Sequence, residues 1–97
     1  MGQRIEIEGT RVVDDSVIFA TSRGLTGADG EGYASADEAA DAETIGSKLA
    51  SDLFETVDGV NRVFVSSNIV VVRGGKAWGD ENLRAASTVI EDFFLHY

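Results

Sequence analysis

Residues 47–72 read SKLASDLFETVDGVNRVFVSSNIVVV, and the spacing of their apolar positions changes halfway. Ile45, just upstream, Leu49 and Leu53 recur every four residues and mark one apolar helix face, which Phe54 widens. Asp58-Gly59 stops that helix, because glycine takes the left-handed backbone of a helix end without a steric penalty. Beyond it, residues 60–65 and 69–72 are β-branched runs separated by Ser66-Ser67-Asn68. They predict a hairpin with an asparagine-containing turn. Val70-Val71-Val72 is continuous rather than alternating, the mark of a central, covered strand.

Toward the C-terminus, Gly74-Gly75 ends the second run and Trp78 precedes another helix. Asp80 is placed to N-cap it, with Glu81 at its positive end. Leu83, Ala86, Ile90, Phe93 and Tyr97 fall at three- and four-residue steps, flanked by Val89 and Phe94. That is an amphipathic helix of about four turns.

Toward the N-terminus, RIEIE (4–8) alternates as a half-buried strand does, and Gly9 marks a bulge or the strand's end. Val12-Val13, Asp14-Asp15 and then SVIFA (16–20) read as extended segments about a turn. Residues 22–32 carry Gly24, Gly27, Gly30 and Gly32 and read as a mobile hairpin loop. Tyr33-Ala34-Ser35 forms a possible short strand. Ser35-x-x-Glu38 then fits a capping box before one or two helical turns over 36–42. The order is β-β-α-β-β-α: a two-layer α+β fold, a mainly antiparallel sheet with two helices packed on one face, in a single domain spanning 1–97.

Seventeen acids against eight bases give net −9. Such a surface repels phosphate backbones, so neither nucleic acid nor an anionic membrane is expected as a partner. The acid-rich, lysine-poor balance suits a salt-rich cytoplasm or simple solubility. No apolar run approaches the ~20 residues of a membrane helix, and the start lacks a secretory pattern. Gly2 fails as a myristoylation signal because Glu6 stands where Ser or Thr is required. The expected location is cytoplasmic.

Cysteine is absent, which excludes disulfides, thiolate nucleophiles and Cys-held zinc or clusters. The glycine loop has Asp29 and Glu31 where a phosphate cradle needs a cation. Asp14-Asp15 and Asp29-x-Glu31 lack the spacing of a calcium loop and read as acidic turns. His96, the single histidine, has no nucleophile or orienting acid in its pattern. Ser66 and Ser67 read as turn-formers. No enzyme, metal site or cofactor is expected. The candidate partner-binding residues are Arg62, Arg73 and Trp78. Trp and Arg are the side chains enriched at interface hot spots, and arginine is the rarer charge on this acidic chain. The plainer readings stand beside these: local ion pairs for the arginines, core packing for Trp78.

From about Tyr33 onward the chain resembles the N-terminal domain of the Nfu/NifU-type iron–sulfur scaffold proteins. Tyr33, Ser35, Glu38 and Ala39 fit the family's short strand and Ser-x-x-Glu-Ala start. Ser47, Leu49, Ala50, Leu53 and Phe54 fit its Ser-Pro-Leu-Ala-x-x-Leu-Phe helix, with Lys48 at the proline. Gly59, Val60, Val63 and Phe64 fit its Gly-Val-x-x-Val-Phe strand entry. Ile69 to Val72, Trp78, Leu83 and Phe93-Phe94 follow as its later landmarks. The chain departs from the pattern in one inserted residue between Phe54 and Gly59, and in Gly9-Thr10-Arg11-Val12-Val13 where the family carries prolines. The resemblance implies a non-catalytic protein-interaction domain that assists iron–sulfur cluster assembly or delivery through a scaffold or client protein. It would not bind the cluster, since the family's Cys-x-x-Cys pair lies on another domain. The alternative is a stand-alone peptide-binding or regulatory module for an acidic or phosphorylated segment. Neither reading fixes the oligomeric state.

Overall fold

The computed structural model describes residues 5–27, 29–75 and 78–96. Expectations resting on Arg4, Lys76 and Tyr97, or on the side chains of Phe94 and His96, lie outside the described residues. The elements in chain order are β1 (Ile7–Val13), β2 (Ser16–Thr21), β3 (Glu31–Tyr33), α1 (Ala36–Ala42), α2 (Ile45–Thr56), β4 (Val60–Ser66), β5 (Ile69–Gly74) and α3 (Asp80–His96). Five strands form one antiparallel sheet in the order β1-β2-β5-β4-β3. The α+β class therefore holds. The short strand at Tyr33 and the turns after Ser35 are full elements, which gives five strands and three helices in place of four and two.

Each cap has a local cause. The Ser35 hydroxyl accepts from Glu38 N at 3.2 Å, while Glu38 Oε2 reaches past the cap to Ala34 N at 2.6 Å. Thr44 and Ser47 form a reciprocal capping box at the start of α2, satisfying two backbone donors that the helix leaves open. Gly59, at φ 85°, turns the chain into β4. Asp80 is the first helical residue rather than the cap. Gly79 O accepts the opening bond from Leu83 N at 3.0 Å, so the helix begins one residue earlier than the side-chain pattern implied.

Burial alternates along the inner strands. Val17, Phe19 and Thr21, Val63 and Val65, and Val70 and Val72 all face inward. They meet Leu49, Ala50 and Leu53 of α2 and Ala86, Ile90 and Phe93 of α3 in one core. Ile45 does not join it and is 47% exposed, because α2 makes its first contact with the sheet side through Gly46 and Ser47. β1 begins at Ile7 with a bulge before Gly9, and most of it lies beyond the helical layer. The buried Ile5 ties its start to α3, donating to Glu91 O at 2.8 Å.

The glycine-rich loop does not join a hairpin. β2 and β3 lie on opposite sides of the β5–β4 pair, so the loop must cross the end of the sheet around the β4–β5 turn. It is fastened there: Leu25 N donates to Ser67 O at 2.7 Å, Ser67 N to Thr26 Oγ1 at 3.0 Å, and Leu25 is buried in the core. Thr21 Oγ1 donates to Asn68 O at 2.9 Å and Asn68 Nδ2 to Thr21 O at 3.0 Å. In this turn Ser67, at φ 55°, takes the left-handed conformation and frees the Asn68 amide for that bond.

The other departure concerns β5. It is central, but only Val70, Val72 and Gly74 are buried, while Ile69 and Val71 are half-covered and Arg73 is exposed. All three described helices lie over the other side, so among the described residues one face of the sheet has no second layer.

Candidate functional site

The open face follows from strand parity. Residues directly opposite on neighbouring strands share a face, so the register places Arg11, Ile18, Val71, Phe64 and Gly32 in one row across all five strands. The next row is Val13, Ser16, Arg73 and Arg62, and the row on the other side is Gly9, Ala20, Ile69 and Ser66. The result is an apolar centre of Ile18, Val71, Phe64 and Ile69 with three arginines around one end and one side.

Phe64 is 38% exposed and lies over glycine backbone. A Cβ on Gly30 would stand 2.6 Å from Phe64 Cζ, and one on Gly32 would stand 3.3 Å from its Cδ1. Gly30 also has φ +77°, which a side chain tolerates poorly. These glycines seat a ring; they do not cradle a phosphate.

Asp15 organises the basic end. Asp14, at φ 54°, turns the chain so that Asp15 O accepts from Gly74 N and from Trp78 Nε1, both at 2.8 Å. Its carboxylate accepts from Arg73 Nε at 3.1 Å, with side chains 55% (Arg73) and 44% (Asp15) exposed. Trp78 is half-buried against the core and its indole N–H is engaged. Arg73 is ion-paired, though open to solvent. Arg62 stands directly opposite Arg73 with its Nη2 near Gly32, and no carboxylate among the described residues pairs with it. Like charges in opposite positions on a sheet oppose folding, so this arrangement has a local cost that Asp15 offsets for Arg73 alone.

Of the residues named from sequence, Arg62 and Arg73 are neighbours on the open face, and Asp15 joins Trp78 to Arg73 but not to Arg62. Arg11, Ile18, Phe64, Val71 and Ile69 were not singled out. The signal was available in parity: if Val63 and Val65 face the core, Arg62 and Phe64 must face away, and a run of three valines must place its middle one outside.

The electrostatics divide by layer. The helices carry Asp37, Glu38 and Asp41; Asp52 and Glu55; and Asp80, Glu81, Glu91 and Asp92, against Lys48 and Arg84. The sheet's open face carries the three arginines, with Glu8 exposed at the β1 bulge and Asp14 and Asp15 at the turn. A net charge of −9 therefore conceals a local arginine cluster.

A second polar cluster lies on the helix side. Tyr33 Oη donates to Glu31 Oε1 at 2.5 Å, and the Thr44 hydroxyl donates to the same oxygen. Burial pushes the Tyr33 phenol above its ordinary value, and the carboxylate beside it adds to the shift. Gly46 lies against this cluster: a Cβ there would stand 2.7 Å from Thr26 Cγ2 and 3.1 Å from Glu31 Oε1. The cluster joins β3 to the start of α2. Among the described residues no group of three His, Asp or Glu side chains converges as a metal site. No helix among them is long and apolar enough to cross a membrane.

The solved structure of protein SAV1430 from Staphylococcus aureus has a similar fold, with a TM-score of 0.66 over 89% of this chain and 99% of that one, at 16% identity. No family model matches this chain, and no curated protein matches its sequence.

Proposed function

We propose that this chain is a non-catalytic protein-interaction domain that works through the open face of its sheet. The observation that carries the reading is the partly exposed apolar centre at Phe64 and Val71, bordered by arginines on an otherwise acidic molecule. An apolar patch with a polar rim is the usual form of a protein-binding surface. We further propose that its setting is iron–sulfur cluster assembly or delivery, beside a scaffold or client and without holding the cluster. This part rests on the residue resemblance from Tyr33 onward and on the absence of cysteine.

The test is a photo-cross-linking side chain placed at Ser66 on the open face, and separately at Glu55 on α2, in the native cell. A defined protein partner captured from Ser66 and not from Glu55 supports the interaction reading. Equal capture from both sites, or none from Ser66, removes it. A captured partner with no role in cluster assembly removes the iron–sulfur setting and leaves the interaction reading in place.

A further inference from the structure

We infer that the open face takes an acidic amphipathic helix of a different protein, with carboxylates meeting Arg62 and Arg11 and an apolar stripe resting on Phe64, Val71 and Ile18; this deepens the interaction reading and rests on it. Three observations fix the occupant. The first is the backbone. β2, β5 and β4 are each paired on both edges, so a segment lying over them finds side chains but no free ladder of N–H and C=O groups. An extended segment would leave its own backbone unsatisfied there, whereas a helix brings its hydrogen bonds with it. The opposite face of this sheet already seats helices in that way.

The second observation is charge. Arg62 has no acidic partner among the described residues and faces Arg73 across the strand pair. Arg11 lies beside Ile18 on the same face by register, likewise with no acidic partner among the described residues. Carboxylates on the occupant would relieve a repulsion the isolated domain carries; cations would increase it.

The third observation weighs against a second copy of this chain. A two-fold pairing of open faces would gather the arginines of both copies into one interface. A head-to-tail pairing would offer the acidic helical layer, but Leu49, Leu53, Ile90 and Phe93, the apolar stripes of those helices, are already in the core. Among the described residues the only large apolar side chains these helices leave exposed are Ile45 on α2 and Leu95 on α3, which do not make a stripe on one helix.

The experiment uses the full chain labelled with nitrogen-15 and a synthetic amphipathic helix of about 15 residues, with leucines at three- and four-residue steps and flanking glutamates. A second peptide carries lysine in place of every glutamate. The glutamate peptide is expected to shift the amides of Ile18, Phe64 and Val71, and Arg62→Glu or Arg11→Glu to weaken its binding about tenfold each. Both arginines are exposed, so the folded spectrum is expected to persist in either variant. Shifts confined to the helical layer, no shifts, equal binding of the lysine peptide to the sheet face, or concentration-dependent self-association through that face would each overturn the inference. If the peptide fails while Ser66 still cross-links a partner, only the acidic helix is removed. If both fail, the interaction reading goes with it.

Discussion

Gly30 and Phe64 constrain each other. The ring lies where a Cβ on Gly30 would be, and the left-handed backbone there adds its own penalty. Gly30→Ala should destabilise the fold by about 1–3 kcal/mol. In a Phe64→Ala background the same substitution should cost less, since the ring clash is gone and only the left-handed backbone and the 3.0 Å approaches to Ser66 Cβ and Val65 O remain. Denaturant midpoints across the four proteins check this, and strict additivity would show that the ring is not the obstacle. Trp78 differs, for its N–H has a defined acceptor in Asp15 O. Trp78→Phe should lose about 1 kcal/mol, the usual worth of one such bond. Tyr33 gives a pH signature. Its raised folded value means the neutral phenol is favoured in the native state. The stability it contributes is complete below the ordinary tyrosine pKa of about 10 and is lost as pH rises through the higher folded value. Tyr33→Phe should flatten that alkaline decline. An unchanged slope would mean the phenol titrates freely.

The helices account for most of what the sequence made legible. Leu53 and Phe93 are fully or almost fully buried, in keeping with their spacing beside Leu49 and Ile90. Leu53→Ala and Phe93→Ala should each destabilise by about 2–5 kcal/mol. Ile45→Ala, on the same nominal stripe but exposed, should stay within about 0.5 kcal/mol. Periodicity found the helices because an amphipathic stripe is a local property, and turn residues found both hairpins for the same reason. Two features stayed hidden. That β2 lies beside β5, so that the glycine loop must wrap the β4–β5 turn, is a long-range fact, and a glycine-rich stretch looks alike whether pinned or free. The open face was hidden by Val70-Val71-Val72, whose composition is that of a strand covered on both sides. Arg62 and Arg73 were legible as rare charges; that they oppose each other, and that Asp15 answers only one, required the register.

At the scale of the molecule, charge is unevenly distributed, and the helical layer repels itself. Salt screens charges beyond a Debye length of about 10 Å at 0.1 M. Sodium chloride raised from about 0.05 to about 1 M should therefore raise the melting temperature, with a non-ionic osmolyte at matched osmolality as the control. A falling melting temperature would mean that favourable pairs such as Arg73 with Asp15 outweigh the repulsion, although exposed pairs are individually weak. Anaerobic reconstitution with iron and sulfide, then desalting, should leave a colourless protein, because no thiolate is present to hold a cluster. A stoichiometric chromophore that stays with the chain would contradict this.

The placement of β2 against β5 also sets a timetable. Ser16 meets Arg73 and Ala20 meets Ile69, so the first hairpin has no sheet to join until nearly the last strand exists. On the ribosome, β1 and β2 emerge early and wait while two helices and the second hairpin are made. The amides that close this seam are those of Thr21, bonded to Asn68 O, and Gly74, bonded to Asp15 O, both at 2.8 Å. Closing a contact so distant along the chain is slow beside forming a hairpin. In pulse-labelled refolding these two amides should gain protection after the β4–β5 ladder. Through that interval the apolar undersides of the first hairpin, Val17 and Phe19, are exposed to water, and a nascent chain stalled there is the form most exposed to aggregation.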